Sequence, residues 1–438
     1  MSASTLYRTL LDSFIAFKSI STDPAHKGDM EACASWLGGE FAKRGFSVGV
    51  VEGYGNPIVV ARYDAGCAET CLVYGHYDVQ PAQPDGWHGD PFAVTEKDGR
   101  LYARGAIDNK GQVLVHIATI FELIEQGALA YNVVCMIEGD EETGSPDLPR
   151  FIEEHAHLLA SDFALISDGE IVSDEQVLEL GFRGGFNAEV TVRTSDKDLH
   201  SGLFGGAVPN AGWVLSRYIS NLHDENNRVS IAGFYEDVAP VSQETKDAMK
   251  RIPFEYESYK TISGTGALLT HDEHDFHTQV GLQPNIDVTG VSVGYTGEGF
   301  RNAVPGTATA KINVRLTAEQ DPHKEAERFI EYTKSAMPPY ALADIDVSFP
   351  YTGIKLDLNN KYIQHAQAMF AKVCGKEPLQ KYSGGGLPIV THYNDTLGIP
   401  QVLAPLANED CNMHGVNENF SLAQLERALL FSEAFFRV

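Results

Sequence analysis

An α/β protein carrying a second, inserted α+β module is what this sequence predicts, on three observations. Ahead of Gly184-Gly185, short apolar strand-like runs alternate with segments of helical periodicity. That alternation describes a mixed, mostly parallel sheet covered by helices. The character changes at Gly184-Gly185 and returns after Tyr351-Thr352-Gly353. Three of the early strands also end in a His or a carboxylate, and the carboxyl ends of parallel strands are where open α/β sheets place chemistry.

The elements follow in order. Leu6, Leu10, Phe14 and Phe17 recur at helical spacing, as do Met30, Cys33, Leu37 and Phe41, with Gly45 in the position of a helix stop. Strands are expected at 58–63 and 71–74, a helix over 112–125, a strand over 131–137, a helix near 148–159 and a strand at 163–166. Past Gly185, 186–192 alternates like a half-exposed strand. A helix over 209–222, strands over 286–293 and 308–316, a helix over 322–337 and a strand over 345–349 complete a β-α-β-β-α-β module. An irregular insertion interrupts it at 224–283. Helices over 359–373 and 422–436 close the chain. The expected division is 1–185 with 353–438 for the α/β domain, and 186–352 for the inserted one.

Bulk properties narrow the function. The 438 residues allow two or three domains. With 33 basic against 60 acidic residues the net charge is −27, which disfavours nucleic acid or an anionic membrane as partner. Six cysteines without a CxxC pair make no disulfide framework. The start, Met1 to Arg8, lacks the apolar core of a signal peptide, and no run approaches the ~18 apolar residues of a membrane span. A soluble, cytoplasmic protein is expected.

The chemistry-bearing stretches are polar ends of apolar runs. Val133 to Ile137 runs into Glu138, Asp140, Glu141 and Glu142, acids that repel one another unless protons or cations intervene. His76 and Asp78 leave the end of the 71–74 strand, where a carboxylate can fix a ligating imidazole. Asp108 follows a glycine-bearing turn just before a helix, which also suits a plain N-cap. Asp168 ends the 163–166 strand, and His414 lies in a polar loop. Singly, each has an ordinary structural reading. Together, His76, Asp108, Glu142, Asp168 and His414 offer two imidazoles and three carboxylates, a set suited to borderline divalent metals such as zinc. Five ligands exceed the needs of one catalytic zinc and suit two ions ~3.5–4 Å apart sharing a carboxylate. Glu141 is then left free to act as a general base. Asp140 acquires no role.

At this point the sequence resembles the M20 family of co-catalytic metallopeptidases, and within it the carnosinase-like branch of cytosolic non-specific dipeptidases. The matching segments are Tyr74 to Pro81, Gly86-Trp87 with Asp90-Pro91-Phe92, Arg104 to Gly111, Glu138 to Ser145, Ser167-Asp168, Asp198 to Gly202 and the His414 loop. The resemblance implies a hydrolase of dipeptides or short peptides with two divalent ions per chain, zinc first, manganese or cobalt as alternatives. It implies that His76, Asp108 and Asp168 hold one ion, and Asp108, Glu142 and His414 the other. It makes Asp78 the orienter of His76 and Glu141 the base. It also implies a cis peptide between Asp108 and Asn109. The inserted module becomes a lid and dimerisation domain, giving a homodimer in which His200 reaches across to stabilise the oxyanion. Arg315 would grip the substrate carboxylate, with Asn302 and the glycine-rich loop at Gly386 as further substrate contacts. Gly386 departs from the pattern, since relatives often carry Ser or Thr there. The alternative on the same scaffold is an N-acyl-amino-acid deacylase; Asp168, where many deacylases carry Glu, leans towards the peptidase. In the insertion, His271, His274 and His277 lie three residues apart among acids, a composition that favours a solvated loop over a metal site.

Overall fold

The computed structural model describes residues 3–270, 273–385 and 388–438. Among these the larger sheet has nine strands. Its order is Ser47–Val51, Ile58–Tyr63, Asn132–Glu138, Thr70–His76, Phe163–Ile166, Gln401–Leu403, Val177–Phe182 and Ile354–Lys355, with Leu379–Ser383 also paired to Val177–Phe182. The centre is parallel: Thr70–His76 pairs in parallel with Asn132–Glu138 and with Phe163–Ile166, which pairs in parallel with Gln401–Leu403. Antiparallel strands flank it, so the sheet is mixed as expected. Thr70–His76 is buried at every position, as a strand covered on both faces must be. Helices Ala3–Ile15, Lys27–Ala42, Lys110–Gln126, Lys361–Cys374 and Leu422–Phe436 bury one face in the main apolar core. Leu148–His155 and Pro388–His392 cover the other. Because 70–76, 132–138 and 163–166 are parallel neighbours, His76, Glu138 and Ser167-Asp168 emerge at one edge.

The second sheet runs Asn285–Val293, Thr307–Leu316, Gly184–Arg193 and Leu342–Tyr351, all antiparallel. Helices Ala211–Ser220 and Pro322–Ser335 pack on one face, giving β-α-β-β-α-β in chain order. Thr307–Leu316 alternates between buried and accessible residues, the mark of a sheet with one covered face. Asn210 and Asp321 cap the two helices by accepting from backbone N–H groups of the first turn. The two connections between the sheets pass side by side: a Cβ on Gly184 would lie 2.4 Å from the Gly353 nitrogen, so only glycine fits there.

Three expectations need correcting. The 224–283 segment is not irregular; it contains helices Gln243–Met249, Tyr256–Ser263 and Glu273–Leu282. They are too short to show several turns of periodicity. Met249 joins the core of the larger sheet, and Ile252 packs with Val172, Val177 and Leu379. Gly45 does not stop its helix directly: Lys43 caps it, and Gly45, at φ 85°, turns the chain towards Ser47–Val51. The expected strand set was incomplete: Val177–Phe182, Leu379–Ser383 and Gln401–Leu403 also belong to the larger sheet. No helix among the described residues is long and apolar enough to cross a membrane.

Candidate metal centre

The cluster is built at the edge where the parallel strands end. His76 closes its strand in register with Glu138. Its Nδ1 faces Asp78, with Oδ1 at 3.2 Å and the Asp78 carbonyl at 3.1 Å. The ring proton therefore belongs on Nδ1, and the Nε2 lone pair is directed into the site. Nε2 is buried and has no hydrogen-bond partner among the described residues. Around it lie Asp108 Oδ1 at 3.1 Å, Asp168 Oδ2 at 3.8 Å and Glu141 Oε2 at 3.9 Å.

Asp108 sits at a cis peptide bond to Asn109, as expected. It is not an N-cap: the helix begins at Lys110 with Asn109 in the cap position and no side-chain capping bond. Its second oxygen, Oδ2, lies 2.7 Å from His414 Nε2, which is 3.4 Å from Glu142 Oε2. The two oxygens of one carboxylate thus face two different imidazoles. Two groups of ligand atoms follow, each within 4.8 Å: His76, Asp108 and Asp168; and Asp108, Glu142 and His414. Glu141 belongs to neither.

Adjacent Glu141 and Glu142 diverge because the strand breaks into a 3₁₀ turn, Glu141–Thr143. Consecutive side chains in such a turn point about 120° apart. Asp78 holds the turn in place. Its carboxylate is fully buried and accepts from the N–H of Glu141 (3.3 Å), the N–H of Glu142 (3.0 Å) and Ser21 Oγ (2.7 Å). Gln80 Nε2 donates to Glu142 Oε2 at 2.7 Å. Asp140 also gains a place: it accepts from Asn56 N and Nδ2, tying the turn to the start of strand Ile58–Tyr63. Buried Glu138 accepts from Tyr74 and Ser145 hydroxyls, and burial pushes it up to about 7.

The electrostatics describe acids short of positive charge. Burial, then repulsion from Asp108, pushes Glu142 upward. Burial also raises Glu141 and Asp168, with Asp108 adding to both against the opposing pull of His76. For His76, burial would lower the pKa, but the adjacent carboxylates of Asp108 and Asp78 raise it well above the ordinary range. Asp108 contact raises His414 to about 8. A site that draws protons onto its imidazoles and carboxylates is one that cations would satisfy. The orphaned His76 nitrogen and the oxygen-rich donor set fit a pair of divalent ions.

The remaining expected residues lie on the second sheet or beside it. Arg315 is half-buried; Nε donates to Asn313 Oδ1 (3.1 Å) and Nη1 to the Tyr351 hydroxyl (2.6 Å), and it pairs with no described carboxylate. Arg183 beside it is similarly placed among carbonyls, donating to those of Gly384 and Gln283 and to Asn285 Oδ1; burial, then Arg315, lowers it to about 10. His200 is exposed, accepts from Gly202 N, and lies in register with Ala303; Asn302 accepts from Ser201 N. Neither makes a hydrogen bond or ion pair with the metal-ligand cluster among the described residues. Gly386 and His271 lie outside the described residues. His277 packs among Phe254, Tyr259 and Phe276, and no described ligand group includes it.

Sequence reasoning passed over two residues. Glu418 and Arg104, quoted only within motifs, form a buried ion pair behind the cluster. A charged residue four positions from a candidate ligand was the available signal.

Paired imidazoles and carboxylates at one sheet edge, with one carboxylate shared, are the arrangement of a two-metal hydrolase. The family model for Peptidase family M20/M25/M40 matches residues 72–437, and the chain belongs to this family. Among its relatives is the mouse Beta-Ala-His dipeptidase, 30% identical over 80% of this chain and 73% of the relative. The Cysteinylglycine-S-conjugate dipeptidase of Corynebacterium striatum is 28% identical over 97% of this chain and 93% of that protein. The crystal structure of an M20 family metallo-carboxypeptidase from Sulfolobus solfataricus superposes with a TM-score of 0.87 at 29% identity, covering 98% of each chain.

Proposed function

We propose that the protein is a dimetal dipeptidase that cleaves dipeptides or short peptides bearing a free C-terminal carboxylate. The observation that carries this reading is the pair of ligand groups sharing Asp108, with Glu141 beside them but in neither. His76, Asp108 and Asp168 would hold one divalent ion and Asp108, Glu142 and His414 the other, zinc or else manganese or cobalt. Such ions supply carbonyl polarisation and an acidified water. Glu141, partly exposed at 24%, takes the water's proton and returns it to the leaving amine. Asp78 keeps His76 in the tautomer a metal needs. Arg315, with its charge unpaired by any described acid, binds the substrate carboxylate through its planar fork, and Asn302 and Gly386 are further substrate contacts.

His200 donates to the developing oxyanion in the site of a second copy. Exposed apolar side chains on the second module, Trp213, Val291 and Phe300, are available to a homodimer interface. The six unpaired cysteines support a reducing, cytoplasmic setting. The relatives' named activities, dipeptidase and carboxypeptidase, both release a C-terminal residue. The test is metal-free protein reloaded with zinc, manganese or cobalt and assayed side by side on dipeptides, Cys-Gly and β-Ala-His included, and on N-acyl amino acids. Dipeptide turnover with two ions per chain is expected. Turnover of acyl amino acids alone would make it a deacylase, and at most one ion per chain would end the shared-carboxylate model.

A further inference from the structure

The Asp108 and His414 loops are 306 residues apart in sequence, yet both present ligand atoms to one point. Besides the contact of His414 with Asp108, a buried ion pair joins them. Glu418 has no exposed side-chain surface and Arg104 has 3%. Arg104 Nη1 donates to Glu418 Oε2 at 2.6 Å, and Gly105 N donates to the same oxygen at 3.1 Å. Glu418 Oε1 accepts from Ile107 N at 2.8 Å and Asp108 N at 3.1 Å. The carboxylate thereby takes up the amides of the segment that delivers Asp108. Arg104 reaches the other way: Nη2 donates to the carbonyls of His414 (3.1 Å) and Gly415 (3.3 Å).

The His414 loop needs such a restraint. Asn412, His414 and Asn417 all have positive φ, at 55°, 60° and 61°. Non-glycine residues hold that backbone only where their surroundings over-determine it. The loop is fastened to the fold elsewhere, by strand pairing of Asn419–Ser421 with Arg100–Tyr102 and by Arg100 on Asp410. The Arg104–Glu418 pair is therefore not needed to keep the loop attached. Buried pairs are also weak sources of net stability but fix relative position well.

We infer that Glu418, acting with Arg104, is a positioning residue that sets the separation of Asp108 and His414 and so governs the affinity of the ion these two would share with Glu142. This rests on the dimetal reading above. All four groups around Glu418 are donors, so glutamine at this position would set an amide N–H against one of them.

The test titrates metal-free parent, Glu418→Gln and Arg104→Lys with Zn²⁺ against a chromophoric chelator, with Co²⁺ absorption spectra and far-ultraviolet circular dichroism alongside. Parent protein is expected to bind two ions. In Glu418→Gln the ion held with His414 weakens by about 10–100-fold, the usual effect of losing a partner behind the ligands, and the other, which also uses Asp108, weakens by a smaller factor. One of the two Co²⁺ sites changes its spectrum. With both sites filled by excess metal, KM for a dipeptide stays near the parent's. Arg104→Lys keeps the buried charge pair but loses the fork onto His414 and Gly415; it weakens the same ion by a smaller factor. Two ions bound as in the parent by both variants would overturn the inference. If Glu418→Gln fails to fold, parent-like affinities in Arg104→Lys would overturn it. A parent that binds at most one ion would instead sink the dimetal reading, and this inference with it.

Discussion

Replacing Asp78 by asparagine should damage the site more than the loss of one contact suggests. The carboxylate is fully buried and touches three segments: Ser21, His76, and the Glu141-Glu142 turn. An asparagine can present its NH₂ in either of two positions. One faces the Glu141 N–H, 3.3 Å from Oδ1, and the other faces the Glu142 N–H, 3.0 Å from Oδ2. Either way a partly buried backbone donor loses its acceptor, which costs about 1–3 kcal/mol, and the charge-assisted component of the remaining bonds goes too. A loss of stability of about 2–4 kcal/mol follows. The turn carries the proposed base and a proposed ligand, and a displacement near 1 Å costs about 10²-fold in rate, or about 2.7 kcal/mol. Denaturant unfolding and kcat at saturating metal measure both effects. Ser21→Ala is the control: it removes one donor and leaves the other three contacts, so it should cost only about 1 kcal/mol of stability and little rate. A folded Asp78→Asn enzyme with parental kcat would refute the argument that Asp78 holds the acids as well as the histidine.

Glu141→Gln should keep both ions, because Glu141 is in neither ligand group, and lower kcat by about 10²–10⁴-fold; metal analysis and turnover on the same sample test this. Arg315→Met should raise KM roughly tenfold or more for dipeptides, because a bidentate carboxylate contact is lost, and should erase the preference for a free acid over a C-terminal amide. His116 tests pH-linked stability. It is buried between Ser432 and Ser167, and burial lowers it from 6.5 to about 3. Below pH 6.5 the unfolded chain takes up a proton the folded protein refuses, so this stabilisation is present above the unfolded pKa and is lost as pH falls. The slope is about 1.4 kcal/mol per pH unit, or about 2 kcal/mol by about pH 5. The stability gap between parent and His116→Gln should narrow by that amount in unfolding curves, whereas parallel pH profiles would refute it.

Much of the α/β layer was legible because buried parallel strands are short apolar runs and their ends are abrupt. Thr70–His76 and Asn132–Glu138 show this plainly: each passes from buried apolar residues to a polar terminus within one position. The gathering of His76, Glu142 and Asp168 was legible from the same rule, since parallel neighbours bring their ends to one edge; Asp108 and His414 lie on loops and were joined to them only by residue type and the family resemblance. What failed was anything set by contacts remote in sequence. Asp108 reads as an N-cap by local pattern, yet the helix starts at Lys110. Asp140 looks like one more acid of the cluster, but Asn56 claims its carboxylate. Glu418 looks like a solvated loop residue and is fully buried, because Arg104 lies far away in sequence. The helices of the 224–283 segment were hidden by their length, seven, eight and ten residues.

The position of Asp78 explains why two adjacent glutamates can carry different duties. Neighbouring acids on a strand would alternate between the two faces of the sheet, and one would be lost to the site. A regular helix would leave them about 100° apart but needs a longer run to form. The chain uses a single 3₁₀ turn instead, which is too short to hold itself and must be held from outside. Asp78 does this by accepting both glutamate N–H groups, and the same carboxylate fixes the His76 tautomer. The orientation of the proposed base is thereby coupled to the orientation of a proposed ligand through one buried side chain. Glu418 repeats the device on the opposite side, accepting the amides before Asp108 while its partner Arg104 holds the His414 loop. The cluster is therefore placed by two buried carboxylates that belong to neither ligand group. In the proposed function, substrate selection would fall instead to the second module and the Ser383–Gly385 segment, where Arg315 and Arg183 stand among neutral partners. Exchange of residues around these two arginines should change which peptides are cleaved without changing how many ions are bound.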